Sequence, residues 1–356
     1  MRRMPNHKPI QRLSIDWSKG MRILEHEHVN IAEVDSVEVL SLVDNSIDFL
    51  STIDKKEVKS FRQWTKKGHD KECTSHSQLP IAEHGFSMLV RFFTGGKSCS
   101  ILFDTGVSLD GIVENSRRMG LDLSEIDYIV LSHGHYDHFG GLEAVVKVIN
   151  KNDLPIIAHE NMFKPRGNAN SRGEIQKYPE FPKKKNLTPA KFIITKQPCL
   201  IANKIVCITG EIPRQTEFEK GFLQNRILVN NKWQPDPDIL DERAMILNLK
   251  EKGLIIISGC AHAGIINTIR YAQSITGVTN VYAVLGGFHL AGKEYEKRID
   301  LTVNELKRIN PQLIIPSHCT GWRALTSIAK KLPDAFIWNS VGNLYNFNCD
   351  EKTSPS

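Results

Sequence analysis

The segment Leu131-Ser132-His133-Gly134-His135-Tyr136-Asp137-His138-Phe139-Gly140-Gly141 packs three histidines and one aspartate into six consecutive residues. A short apolar run, 126–131, precedes it, and the spacing of apolar residues over 141–150 predicts a helix after it. A chance cluster on a surface loop is a poor account of such spacing between a buried-type strand and a Gly-Gly turn. Imidazole and carboxylate together suit zinc, iron or manganese. Alternate residues of an extended turn point the same way, so His133 and His135 are placed to reach one ion. Asp137 and His138, where the chain turns into the helix, are placed to reach a second ion close by. Such a pair of ions holds a water between them and lowers its pKa toward neutrality, which makes a nucleophile.

Four side chains do not complete two coordination spheres, so further ligands must come from later in the chain. Three later histidines each follow an apolar strand: His262 after 254–258, His289 after 281–285 and His318 after 313–316. A strand end is where a sheet scaffold presents site residues. We expect His262 and His318 as ligands. His289 is open between a ligand and a group that binds substrate or moves a proton, and with Asp137 it is a catalytic candidate. His159 also follows a strand but is not placed among the ligands. His26, His28, His69 and His76 lie in polar stretches and read as surface residues. Arg214 follows Pro213, which fixes the backbone, so its guanidinium can stand at the rim and bind phosphate beside Glu211.

The remaining chain alternates strands and helices. Strands are expected at 37–43, 86–93, 99–103, 126–131, 154–158, 191–195, 204–209, 244–249, 254–258, 281–285 and 313–316. Helices are expected at 107–120, 141–150, 264–274, 294–309 and 322–331. This mixture indicates α/β or α+β layering. No tandem repeat and no Pro/Ser/Gly linker divides the sequence, so one domain is expected over 34–350. Residues 1–33 read as a polar, partly disordered N-terminal extension. Residues 52–79 read as a surface insertion. Residues 161–190, rich in Pro, Gly, Asn and Lys, read as one long loop near the site.

Composition limits the setting. The 356 residues carry a net charge of +6, a modest excess. Its basic clusters, in the first 22 residues and at Lys183-Lys184-Lys185, read as solvated surface or as attraction for a small anionic substrate. No basic stripe with interleaved aromatics points to nucleic acid. The seven cysteines are scattered, which suits a reducing, cytoplasmic compartment. No apolar run approaches the length of a membrane span.

The motif His133 to His138 resembles the signature of the metallo-β-lactamase superfamily, and Asp104-Thr105-Gly106 resembles its Asp-Thr-Gly turn. Further stretches sharpen the likeness: Asp44-Asn45, Glu83-His84-Gly85-Phe86-Ser87, Gly210-Glu211-Ile212-Pro213-Arg214, Gly259-Cys260-Ala261-His262-Ala263-Gly264-Ile265, Gly286-Gly287-Phe288-His289-Leu290 and Pro316-Ser317-His318-Cys319-Thr320-Gly321. Together they are similar to the subgroup of dihydropterin-ribofuranosylaminobenzene 5′-phosphate synthase-like proteins, over roughly residues 36–347. The resemblance implies an αββα sandwich with the site at one edge. It implies two divalent metal ions, with zinc foremost and iron or manganese as alternatives, and places Asp104 as a buttress behind the metal loop. The sequence departs from most hydrolases of the superfamily, where a bridging aspartate follows a strand. The comparable position here reads Gly259-Cys260. Cys260 is open between a thiolate ligand and a small core residue packed behind the site.

The subgroup implies a transferase that joins a phosphorylated ribosyl compound to a pterin with release of diphosphate. The metal constellation alone supports a hydrolase of a small phosphate or ester equally well. A nuclease and a non-catalytic metal-binding protein are less favoured readings.

Overall fold

The computed structural model describes residues 11–12, 22–23, 28–65 and 79–349. Two large sheets face each other. In the first, the strands Ser36–Val43, Ser87–Thr94, Lys97–Phe103, Tyr128–Val130, Pro155–Ala158 and Lys191–Ile194 lie side by side. The strand Leu344–Asn348 returns from the far end of the chain to pair antiparallel with Ser36–Val43. The second sheet orders Cys199–Ile201, Val206–Ile208, Ala244–Leu249, Gly253–Ser258, Val281–Gly287 and Leu313–Ser317.

Both faces of the sheets are apolar, and each face buries against a different partner. Val39, Val90, Ile101 and Val130 of the first sheet share a core with Met245, Leu247, Ile257 and Leu285 of the second. Leu40, Leu102 and Ile129 point the other way, into a core completed by Ile112 and Met119 of the helix Gly111–Met119 and by Leu142, Val145 and Ile149 of the helix Leu142–Ile149. Ile246, Ile256, Val284 and Ile314 meet the helices Ile265–Thr276, Ile299–Ile309 and Trp322–Lys331. Alternation along each strand thus builds the αββα sandwich.

Strand direction positions the site. Tyr128–Val130 runs parallel to Lys97–Phe103 and to Pro155–Ala158. Gly253–Ser258, Val281–Gly287 and Leu313–Ser317 are also mutually parallel. The carboxyl ends of parallel strands therefore open onto one edge of each sheet, where sites in such sheets form.

Three segments differ from the sequence expectation. The stretch 161–190, expected as one long loop, carries the strands Arg166–Ala169 and Ile175–Lys177. These join Asn225–Val229 and Lys232–Pro235 in a separate four-stranded sheet. The Asn230-Asn231 dipeptide turns that last hairpin with both residues at positive φ, 50° and 60°, a turn chemistry legible in the sequence but passed over. Of the N-terminal extension, Val29 and Ile31 are buried against the second sheet, and Gln11–Arg12 and Arg22–Ile23 pair with strands of the first and second sheets. In the segment read as a surface insertion, 52–79, the helix Phe61–Thr65 buries Phe61 and Trp64, while 66–78 lie outside the described residues. His26, His69 and His76 also lie outside them. No helix among the described residues is long and apolar enough to cross a membrane.

The Gly140-Gly141 turn explains how the histidine motif is seated. A Cβ on Gly140 would lie 2.0 Å from the Val107 carbonyl oxygen, and its N–H donates to the Gly106 carbonyl at 2.8 Å. The short helix Tyr136–Phe139 is thereby pressed onto the turn at 104–107. Gly140→Ala should lower stability by about 2–3 kcal/mol, because the clash is with backbone that cannot rotate away. Thermal and urea unfolding would check this, and an unchanged midpoint would contradict the packing described.

Candidate metal centre

The site residues gather at the carboxyl ends of strands. Asp44 follows Ser36–Val43, Asp104 follows Lys97–Phe103, and His133 stands three residues past the end of Tyr128–Val130. His262, His289 and His318 stand just beyond the three parallel strands of the second sheet. Several of these positions are strained: Asp104, Ala261, His289 and His318 hold positive φ of 60°, 56°, 44° and 49°. Non-glycine residues adopt that region at a cost, and such strain concentrates at functional sites.

Among the described residues, two groups of three ligand atoms each join two residues of the motif to one later histidine. His133, His135 and His262 form one, and Asp137, His138 and His318 the other, with the atoms of each group within 4.8 Å of one another. Within the first group, His133 Nε2 lies 3.0 Å from His135 Nδ1. Two imidazole nitrogens on one tetrahedral ion at ordinary bond lengths are about 3.3 Å apart, so this is ligand spacing. Within the second, His318 Nε2 lies 3.2 Å from Asp137 Oδ2.

The scaffold orients four of the five rings through the nitrogen that faces away from the centre or beside it. Asp104, fully buried, accepts the Ser132 N–H and hydroxyl, each at 2.6 Å, and its Oδ2 lies 2.6 Å from His138 Nδ1. The Ser132 hydroxyl also lies 2.9 Å from His133 Nδ1. Asn45 Oδ1 lies 3.2 Å from His318 Nδ1, and Asp44 accepts the His318 N–H at 2.7 Å. Asn225 Oδ1 lies 3.4 Å from His135 Nε2. Such contacts fix the ring and its tautomer, as in metal sites with a carboxylate behind each histidine. His262 is placed otherwise. Glu242 accepts its N–H at 2.6 Å, its ring stacks on Phe222, and both ring nitrogens are buried without a hydrogen-bond partner. A buried imidazole with two idle nitrogens is costly unless a cation takes one of them. The donor set and this orphaned ring fit a divalent metal pair.

Electrostatics point the same way. Burial, with repulsion from neighbouring rings, holds His133 and His262 well below the usual imidazole range. Burial, aided by Arg166, pushes His135 down to about 4. Burial opposes the charge on Asp137, but His138 and His318 outweigh it and keep the carboxylate ionised. Burial likewise opposes charging of His318, but the Asp137 carboxylate overrides it and raises that ring to about 9. Beneath the loop, Arg166 donates to Asp241, which also accepts the Gly134 N–H at 2.8 Å.

Other expected residues fall at the margin. Arg214 donates to the carbonyls of Asp238 and His262, so the chain itself occupies part of its guanidinium. Glu211 Oε1 lies 3.0 Å from His159 Nε2, and neither residue belongs to a ligand group. Cys260 is buried, with Sγ 3.2 Å from His138 Nε2. His289 groups with Cys260 and Cys319. Sequence reasoning passed over Cys319 and over His84, whose Nε2 lies 3.7 Å from Asp137 Oδ2. Both adjoin motif residues, which was the available signal. It also passed over an aromatic rim. Phe222 lies 5.6 Å from His289 and 6.1 Å from Tyr295, and Tyr178 lies 5.7 Å from His135, all between ring centroids.

Fold and site together define a protein of the metallo-β-lactamase class, and the sequence model of the metallo-beta-lactamase superfamily matches residues 81–201. The chain is 32% identical over 278 residues to 7,8-dihydropterin-6-methyl-4-(beta-D-ribofuranosyl)-aminobenzene-5′-phosphate synthase of Methanocaldococcus jannaschii, covering 75% of this chain and 90% of that protein. It is 33% identical to an uncharacterized protein of the same organism, covering 74% and 93%. Among solved structures, Tm1679, a metal-dependent hydrolase of the beta-lactamase superfamily, superimposes with a TM-score of 0.64 at 22% identity, covering 88% of this chain and all of that one. The chain belongs to the metallo-β-lactamase superfamily.

Two predictions follow from the geometry. Replacing His133 and His135 together by Ala should remove at least one metal ion per chain, measured by elemental mass spectrometry on purified protein. Full metal content in that variant would refute the assignment. The second concerns pH. In metal-stripped protein His135 is neutral in the fold down to about 4 but takes a proton near 6.5 when unfolded. His133 and His262 are displaced in the same direction. The unfolded chain therefore binds more protons in that window, so stability falls as pH drops from about 6.5 toward 4. His318, raised instead, opposes this slope only near 6.5, and at lower pH both states carry its proton. The melting temperature of chelator-treated protein should fall across the window, and less steeply in His135→Ala.

Proposed function

We propose that the chain is a metal-dependent enzyme whose centre holds two divalent ions, zinc foremost, through His133, His135 and His262 on one side and Asp137, His138 and His318 on the other. Its substrate is a small molecule that joins a flat heteroaromatic ring to a phosphorylated group. The carrying observation is the half-buried aromatic rim beside the ligand groups: Phe222 stacked on His262 at 5.8 Å and 6°, with Tyr295 4.5 Å from His289. Offset stacking on such faces recognises planar rings.

Among reactions, the favoured one joins a dihydropterin bearing a diphosphate on its methylene to an aminobenzene carrying ribofuranosyl phosphate, which gives the kind of product in the relative's name. A nitrogen–carbon bond forms between the aromatic amine and the methylene. The carbon–oxygen bond to diphosphate breaks, and its electron pair leaves on the diphosphate. Divalent ions held by the two triads would neutralise the charge of that leaving group. Phe222 and Tyr295 hold the pterin ring by stacking. His289, between these rings, takes the proton released from the amine.

The test is an assay of metal-loaded protein with the pterin diphosphate, with and without the amine. Diphosphate release that depends on the amine supports transfer. Equal release without it establishes hydrolysis instead. His289→Ala should keep its metal and lose roughly 10²–10⁴-fold in kcat. Loss of metal and activity together would make His289 a ligand, and a normal rate with normal metal would remove it from the chemistry.

A further inference from the structure

Two arginines adjoin the aromatic rim, and the protein itself supplies little to neutralise them. Arg298 is half-buried, with Cζ 4.9 Å from the centre of the Tyr295 ring, and its Nη2 donates to the Gly221 carbonyl at 3.3 Å. It is thereby tied to both rim rings, since Phe222 is the next residue. Arg214 Nη2 donates to the His262 carbonyl at 3.3 Å, and Phe222 stacks on the His262 ring. Arg214 Nε is buried, and no described residue accepts from it. An idle buried donor on a charged group is costly unless a ligand takes it.

The two cations are also close enough to repel. Burial lowers the pKa of Arg298, and Arg214 lowers it further, against the pull of Tyr295 and Glu219. The buried carboxylates beside them are already occupied. Glu219 accepts the N–H groups of Ile266 and Asn267, each at 2.9 Å, and Glu242 accepts those of His262 and Ala263. Glu294 pairs with Lys297 at 2.8 Å. Asp238 lies 3.6 Å from Arg214 Nη1 and is 57% exposed. Among the described residues no carboxylate pairs with Arg298. A guanidinium presents a planar fork of N–H donors, and one bond to Gly221 leaves most of that fork open.

Neither arginine belongs to a ligand group. Tyr295 links Arg298 to the centre, since its ring lies 4.5 Å from the His289 ring. We propose that Arg298, assisted by Arg214, binds a phosphate monoester at the rim, apart from the metal ions, beside a planar ring stacked on Phe222 and Tyr295. The inference rests on the reading of that rim as a ring-binding surface. A leaving diphosphate belongs to the ions, so the anion at Arg298 is the phosphate of the second substrate, the phosphorylated amine. The fork matches two phosphate oxygens at once, which a point charge does not. Arg298 thus makes the site select amines that carry a phosphate.

The test titrates phenyl phosphate and, separately, phenol into the full metal-loaded chain by calorimetry. Wild type should prefer phenyl phosphate. Arg298→Gln should loosen phenyl phosphate by at least about tenfold, with phenol binding and metal content unchanged. Undiminished phenyl phosphate binding in that variant would seat the phosphate on the ions and overturn the proposal. Equal loss of both probes would make Arg298 a strut of the rim and overturn it too, as would a wild type without preference. Should Arg298→Gln fail to fold, Arg298→Lys is read in its place. Weaker phenyl phosphate binding with phenol unchanged then supports the subsite, and no change overturns it. Amine-dependent diphosphate release is a separate readout. Its absence strikes the proposed reaction, while phenyl phosphate binding decides the role of Arg298.

Discussion

The Asp104 carboxylate holds the site together. It is fully buried at the end of one strand and accepts two hydrogen bonds from Ser132 at the end of the next. A buried carboxylate is tolerable only when its oxygens are satisfied, and removing a partner from such a network is costly. Through Ser132 and directly, that one side chain contacts the rings of His133 and His138, one from each ligand group. The separation between the two groups is therefore set by a single rigid unit rather than by loop geometry. The second sheet is keyed to the same unit, because Gly259 leaves just the room that Ser132 and Asp104 occupy.

The rest of the centre shows how differently its two halves are built. His318 is tied to Asp44 and Asn45, which lie at the end of a first-sheet strand although His318 itself belongs to the second. The second triad is therefore clamped across the sandwich by hydrogen bonds. His262 has no such tether on its ring. Glu242 holds its backbone, and Phe222 covers its face. The ring nearest the aromatic rim is thus the least fixed of the ligands. On the proposed reading, a planar substrate stacked on Phe222 would bear on the His262 ring directly.

Much of this was legible in the sequence, for identifiable reasons. The motif His133 to His138 reads locally because its spacing alone sets which residues share a side of the turn. His262, His289 and His318 read from the apolar strands before them. The partners of those residues did not read. Nothing near Asp44 announces a bond to a residue 274 positions away. Nor does Glu211 announce that it pairs with His159. The four-stranded sheet escaped because its strands are half polar: Lys232–Pro235 buries none of its residues fully, so periodicity gave no signal. Its hairpin was marked only by Asn230-Asn231.

That small sheet also explains why the stretch 161–190 is ordered so near the site. Arg166 begins its central strand and is buried with its guanidinium on Asp241. Asp241 in turn accepts the Gly134 N–H between the first two ligand histidines. The same strand pairs with Asn225–Val229, whose first residue approaches His135, and Phe222 lies three residues upstream. The aromatic rim is therefore not a free loop laid over the centre. It is anchored through Arg166 and Asp241 to the backbone of the metal loop. A sequence change in this sheet would act on Phe222 and the rim while Asp104 and Ser132 still hold the rings of His133 and His138. Substrate choice can vary among relatives of this architecture without loss of the metal centre, and the fold alone does not fix it.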